Sequence, residues 1–164
     1  MEYGVREATL EDIPSITKIY NQGIEDRIAT LETRPRTEDE MRKWLLERGE
    51  RYKVLVIEDD AGKVHGWASL NVFNARCCYS GVSDISIYIE REMRGKGLGK
   101  VLLGSLIETA RKQGFHKMVL SVFKENRIAK GLYRSLGFRE VGTYEKHGLL
   151  DGKWVDITIM ERLL

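Results

Sequence analysis

The chain has 164 residues, of which 42% are hydrophobic and 32% charged, and 27 Lys and Arg against 25 Asp and Glu leave a formal net charge of +2. This is the composition of an ordinary globular protein, long enough for one continuous core, and its scattered, nearly balanced charge excludes a general nucleic-acid binder. No apolar run approaches the roughly 18–20 residues of a membrane-crossing helix, and Met1-Glu2-Tyr3-Gly4 has neither the basic flank nor the apolar core of a secretory signal. One domain, residues 1–164, in a reducing, cytoplasmic setting is expected, with no nucleic-acid or membrane partner.

Residues 3–8 read as a first strand, and Thr9-Leu10-Glu11-Asp12 as a capping-box variant opening a helix from about 10 to 25. Pro14 fits only in its first turn. Residues 26–36 show no period and form a loop, after which Thr37-Glu38-Asp39-Glu40 is a full capping box for a second helix with Met41, Trp44 and Leu45 inward. Strands follow over 53–58 and 64–72, joined by Asp59-Asp60-Ala61-Gly62, and a loop over 73–81 leads to a strand over 82–90. A third helix runs to Lys112, with Gly114 as its C-terminal cap. A strand over 117–123, a helix over 126–136 and strands near 138–146 and 153–161, the last two turning on Asp151-Gly152, complete the chain. The order β-α-α-β-β-β-α-β-α-β-β predicts an α/β fold with a mixed sheet.

Between the strand over 82–90 and the third helix lies Arg94-Gly95-Lys96-Gly97-Leu98-Gly99-Lys100. Glycines let backbone N–H groups converge on an anion, and a helix N-terminus adds partial positive charge, so this stretch is a candidate phosphate site. It is not a P-loop, because no Gly-Lys pair is followed by Ser or Thr, and its glycines are one residue too tight for a dinucleotide fingerprint. The spacing that fits is R-x-x-G-x-G, through Arg94, Gly97 and Gly99.

Alternation in the preceding strand puts Ile85, Ile87 and Ile89 on one face and Asp84, Ser86 and Tyr88 on the other. Asp84 is then either a solvated strand residue or a carboxylate able to act as a base. Tyr133 is either part of a helix core or a neutral O–H donor. Arg76 and Tyr79 lie in the loop before the strand, and a guanidinium matches a carboxylate or phosphinate in two-point geometry. Cys77 and Cys78 are adjacent, with no third cysteine, which gives neither a disulfide framework nor a metal knuckle. His65, His116 and His147 lack metal-ligand spacing, so no metal is expected.

The glycine stretch, the order of elements, and Asn126 with Leu132-Tyr133-Arg134-Ser135-Leu136-Gly137-Phe138 resemble the GNAT superfamily of N-acetyltransferases. The resemblance covers nearly the whole chain and implies a twisted mixed sheet of about seven strands flanked by about four helices. Acetyl-CoA would be the co-substrate, with backbone groups of Ile87, Tyr88 and Ile89 along its acetyl and pantetheine part. Residues 94–100 would surround the pyrophosphate, and Asn126 and Ser135 would also contact the cofactor.

Ile19-Tyr20-Asn21-Gln22, Pro35-Arg36-Thr37, Ala75-Arg76 with Tyr79, Ser86-Ile87-Tyr88-Ile89 and Gly152-Lys153-Trp154-Val155-Asp156 are similar to the phosphinothricin and methionine sulfoximine acetyltransferase branch. That implies a small amino-acid-like amine as acceptor, a homodimer, Asp84 as base, Tyr133 as acid to the departing thiolate, and Leu31, Arg76 and Tyr79 at the acceptor. Relatives carry Glu where this chain has Asp84, and the shorter side chain favours relay through water. Leu150-Asp151 stands where relatives often have a basic residue. A peptide N-terminus or a polyamine is the alternative acceptor, and a non-catalytic acetyl-CoA sensor the alternative class.

Overall fold

The structure is a computed structural model that describes residues 2–164. Strand β1 (Tyr3–Glu7) leads through a 3-10 turn, Leu10–Asp12, into helix α1 (Ile13–Asp26). The sequence predicts a single helix here. Pro14 has no N–H to return to Leu10, and the Ile13 N–H closes the tighter turn onto the Leu10 carbonyl instead. The Thr9 N–H donates to Asp12 Oδ2 at 2.8 Å, and Arg6 grips the same carboxylate at 2.8 and 2.9 Å. Helix α2 (Glu38–Leu46) starts as its capping box predicts, with the Glu40 N–H donating to the Thr37 hydroxyl at 3.1 Å.

Next come β2 (Val54–Asp59), β3 (Val64–Val72), β4 (Val82–Ile89), α3 (Leu98–Lys112), β5 (Lys117–Phe123), α4 (Arg127–Ser135), β6 (Arg139–Leu150) and β7 (Lys153–Leu163). The last hairpin turns on Asp151 and Gly152 at φ 49° and 77°, the two positive values of a type I′ turn. Strand β6 reaches Leu150 and does not end near 146, because an irregularity between Tyr144 and Gly148, with Lys146 at φ 48°, interrupts the alternation without ending the pairing.

The seven strands lie in the order β1-β2-β3-β4-β5-β7-β6. All neighbours are antiparallel except β4 and β5, whose parallel ladder covers only Val82↔Lys117, Ser83↔Met118 and Asp84↔Val119. Beyond Asp84 the two strands part, while the other edge of β4 stays paired with β3 as far as Gly66↔Ile89. The sheet is therefore split along one edge of β4.

Helix α3 covers one face, where Leu102, Leu103, Leu106 and Ala110 pack with Leu70, Ile85, Met118 and Met160. Helices α1 and α2 cover the other, where Ile13, Ile16, Ile19 and Met41 meet Val54, Val56 and Trp67. Leu102, Leu103 and Leu106 have no exposed surface, and truncating a leucine so placed to Ala costs about 2–5 kcal/mol. His65 is buried between two carboxylates, Asp59 at 2.8 Å and Glu90 at 2.7 Å. It thereby ties the end of β4 to the β2–β3 hairpin.

Candidate active site

The glycine stretch leaves β4 through a 3-10 turn, Arg91–Met93, and enters α3. Gly95 and Gly97 sit at φ 75° and 85°, a region a side chain enters only under strain. A Cβ at Gly99 would stand 3.1 Å from Leu132 Cδ2, so the small residue lets α3 approach α4. The N–H groups of the first turn of α3 have no acceptor within the helix and carry its positive end. Lys96 and Lys100 are exposed and form no ion pair among the described residues. An open groove of about 690 Å³ continues from Gly97 and Lys100 along α3 past Gly104 and Ser105 to Leu136.

Arg94, expected beside a phosphate, is half-buried and engaged by groups of the protein itself. Its Nη1 meets Asp26 at 2.5 Å and its Nε donates to the Ile89 carbonyl at 3.2 Å. Arg91 pairs with the same aspartate at 2.8 Å, so α1 anchors the stretch on its N-terminal side.

Asp84 sits at the apex of the split, at the last β4–β5 pair. Burial pushes its carboxyl up to about 6, opposed by a 3.4 Å contact from Asn71 Nδ2 and by the Ile85 N–H. Tyr133 on α4 is pushed up to about 12, first by burial and then by the charge of Asp84, so the phenol keeps its proton at neutral pH. Tyr88 is also raised, mainly by burial. Its ring lies 4.9 Å from Trp67 and 5.1 Å from Tyr20, above Gly23, where a Cβ would come within 3.1 Å. Ile87, Tyr88 and Ile89 follow along the unpaired edge of β4.

The remaining expected residues divide. Asn126 uses both ends of its amide: Oδ1 accepts from Ala129 N at 3.1 Å to cap α4, and Nδ2 donates to the Ile28 carbonyl at 3.1 Å. It thus ties α4 to the loop that carries Leu31. Leu31 presses on β6 at Gly148, where its side chain leaves no room for a Cβ. Asp151, at the tip of the last hairpin, pairs with Arg27 of that loop at 2.8 Å. Ser135 is exposed at the end of α4 and donates to the Leu132 carbonyl at 2.6 Å.

Arg76 is exposed in the β3–β4 connection, and its guanidinium has no carboxylate partner among the described residues. Tyr79 stacks edge-on against Phe73 at 5.8 Å, and Cys77 and Cys78 are free and exposed. Among the described residues no group of three His, Cys, Asp or Glu is arranged to hold a metal ion, and no helix is long and apolar enough to cross a membrane.

Sequence reasoning missed Asn71 and Arg48. Asn71 is opposite Asp84 in the β3–β4 register, and Arg48 Nη2 donates to its Oδ1 at 2.9 Å. The available signal was one amide near the end of a largely buried strand, and without the register nothing links it to Asp84.

Comparison with known proteins agrees with this geometry. Residues 16–138 match the acetyltransferase (GNAT) family. The chain is 36% identical over 162 residues to the L-methionine sulfoximine/L-methionine sulfone acetyltransferase of Pseudomonas aeruginosa, covering 98% of this chain and 94% of that protein. It is 29% identical over 166 residues to the phosphinothricin N-acetyltransferase of Streptomyces coelicolor, covering 99% of this chain and 97% of the other. The crystal structure of a phosphinothricin acetyltransferase from Sinorhizobium meliloti in complex with acetyl-CoA superposes with a TM-score of 0.94 at 33% identity, over 100% of this chain and 89% of that one. Fold, seam and sequence likeness thus converge on one enzyme class, the N-acetyltransferases, and the chain belongs to the acetyltransferase (GNAT) family.

Proposed function

We propose that residues 1–164 act as one domain that transfers the acetyl group of acetyl-CoA to the amine of a small amino-acid-like substrate. The acceptor is of the methionine sulfone, methionine sulfoximine or phosphinothricin type, and the amine attacks directly in a ternary complex. The split of the sheet at Asp84 carries this reading, because it places an ionisable carboxylate at the mouth of an unpaired strand edge. The chain fits acetyl-CoA on two counts. The free edge of Ile87–Ile89 offers backbone groups to an amide-bearing arm, and residues 95–100 offer a helix N-terminus and two unpaired lysines to a pyrophosphate. Arg94 supports that stretch from behind through Asp26. Asn126 and Ser135 flank α4, where they complete its wall.

Asp84, directly or through a water, takes one proton from the ammonium form of the acceptor and frees the nitrogen lone pair. Attack on the thioester carbonyl forms the C–N bond and breaks the C–S bond, and the Tyr133 O–H delivers a proton to the departing thiolate. Asp84 is ionised only above its raised value, so kcat/KM should rise with pH through about 6 and then level off. Arg76 and Tyr79, with Leu31 across the opening, receive the acceptor, and the free Arg76 guanidinium favours an anionic group over a polyamine.

Two relatives are named for methionine sulfoximine and phosphinothricin acetylation, and they supply the substrate class. Release of free thiol from acetyl-CoA with a panel of amines tests it. Turnover is expected with methionine sulfone, methionine sulfoximine or phosphinothricin. Turnover only with spermidine or an alanyl peptide would replace the acceptor, and none on any amine would leave a sensor. We further propose a cytoplasmic homodimer. Edge strand β6 supports it by leaving Val141, Tyr144 and Leu149 exposed, with Trp154 of β7 62% exposed beside them. Equilibrium sedimentation decides it.

A further inference from the structure

We propose that Arg48 and Asn71 are positioning residues that hold Asp84 in its ionised, proton-accepting form, a role that rests on the reading of Asp84 as the base. Arg48 follows α2 and is clamped there. Its Nε donates to the Tyr52 carbonyl at 2.9 Å, its Nη2 reaches the Leu70 carbonyl, and its guanidinium lies over the Trp44 ring at 4.4 Å. It forms no ion pair among the described residues. Burial lowers it to about 10, which leaves it a cation at neutral pH.

A guanidinium only donates, so the Asn71 atom that faces it is Oδ1. Ser69 Oγ donates to the same oxygen at 3.0 Å. Two donors on one end fix the amide, and Nδ2 is left to face Ser86 Oγ at 3.1 Å and Asp84 Oδ2 at 3.4 Å. The register accounts for the meeting. Asn71 stands opposite Asp84 and Ser69 opposite Ser86, which puts all four side chains on one face of the β3–β4 pair.

The consequence is electrostatic. Burial drives Asp84 toward its neutral form, and the Asn71 Nδ2–H and the Ile85 N–H are the donors that oppose it. The other titratable groups around it are the Tyr88 phenol on its own strand and the Tyr133 phenol on α4, both held protonated. From β5 it faces Val119, and from the end of α2 Arg48 is linked to it through Asn71. A reversed amide would aim an oxygen at the carboxylate. Arg48 prevents that reversal.

The test is the pH profile of kcat/KM for the wild type, Asn71→Ala, Asn71→Asp, Arg48→Met, the Asn71→Ala/Arg48→Met double variant and Asp84→Ala, with the dissociation constant of acetyl-CoA as a check on folding. Loss of one donor to a charged group moves the acidic limb up by about one pH unit. Asn71→Asp, which adds a second carboxylate, should move it further. Arg48→Met should shift it in the same direction, and the double variant no further than Asn71→Ala, because one acts through the other. Activity of Asn71→Ala should recover toward the wild-type value at high pH. A limb unmoved in Asn71→Ala with acetyl-CoA binding intact overturns the relay, whatever Arg48→Met does. If Asp84→Ala keeps both its turnover and its acidic limb, Asp84 is not the base and the relay falls with it. If Asp84→Ala loses them while Asn71→Ala stays at the wild-type limb, only the relay falls.

Discussion

The two sides of the split are built from different materials. The side toward α3 is made of backbone: positive-φ glycines, a helix N-terminus and an unpaired strand edge, supported by Arg91 and Arg94 locked on Asp26. The side toward the loops over 27–37 and 73–81 is made largely of exposed and half-buried side chains, and Arg76 has no carboxylate partner among the described residues. A ligand common to a whole family is suited to backbone, whose N–H and C=O groups do not change with sequence. An acceptor that differs between relatives is suited to side chains on loops, which can change without disturbing the sheet.

This contrast predicts separable losses. Tyr133→Phe removes the proposed proton donor, and kcat should fall by about a hundredfold with little change in either KM; an unchanged kcat would return Tyr133 to the core beside Phe138. Gly97→Val forces a β-branched residue to φ 85°, a strain of about 1–3 kcal/mol. Affinity for acetyl-CoA measured by calorimetry should therefore drop by about tenfold to a hundredfold while acceptor KM stays put. A loss shared equally by donor and acceptor would break the division. Arg76→Ala should raise acceptor KM by about tenfold, the low end for a charge-assisted hydrogen bond, and leave acetyl-CoA affinity alone. An acceptor lacking its acidic group should not feel the substitution, which ties the effect to charge.

The seven strands, both capping boxes and the Asp151-Gly152 turn were legible because each depends on neighbours in sequence. The glycine stretch was legible for the same reason. What the chain hid lies across elements. The β4–β5 ladder stops after three pairs, and no local pattern in either strand marks that end. Arg94 reads from its spacing as a cofactor contact, and the aspartate that also holds it, Asp26, is 68 residues away. The link from Arg48 to Asp84 passes through Asn71, which is tied to Arg48 over 23 residues and to Asp84 over 13, and needs the β3–β4 register to be seen at all.

The three-pair seam also divides the sheet by its order of synthesis. Strands β1 to β4 each pair with the next one made, so this half can zip up from the N-terminus as it leaves the ribosome. In the other half β7, made last of the seven, is the central strand, with β5 on one side and β6 on the other. Until β7 is available, β5 and β6 have no antiparallel partner, and β5 is left with only the short seam. The N-terminal half of this protein thus has its complete set of partners early, whereas the C-terminal half must wait as two open edges for a single closing strand.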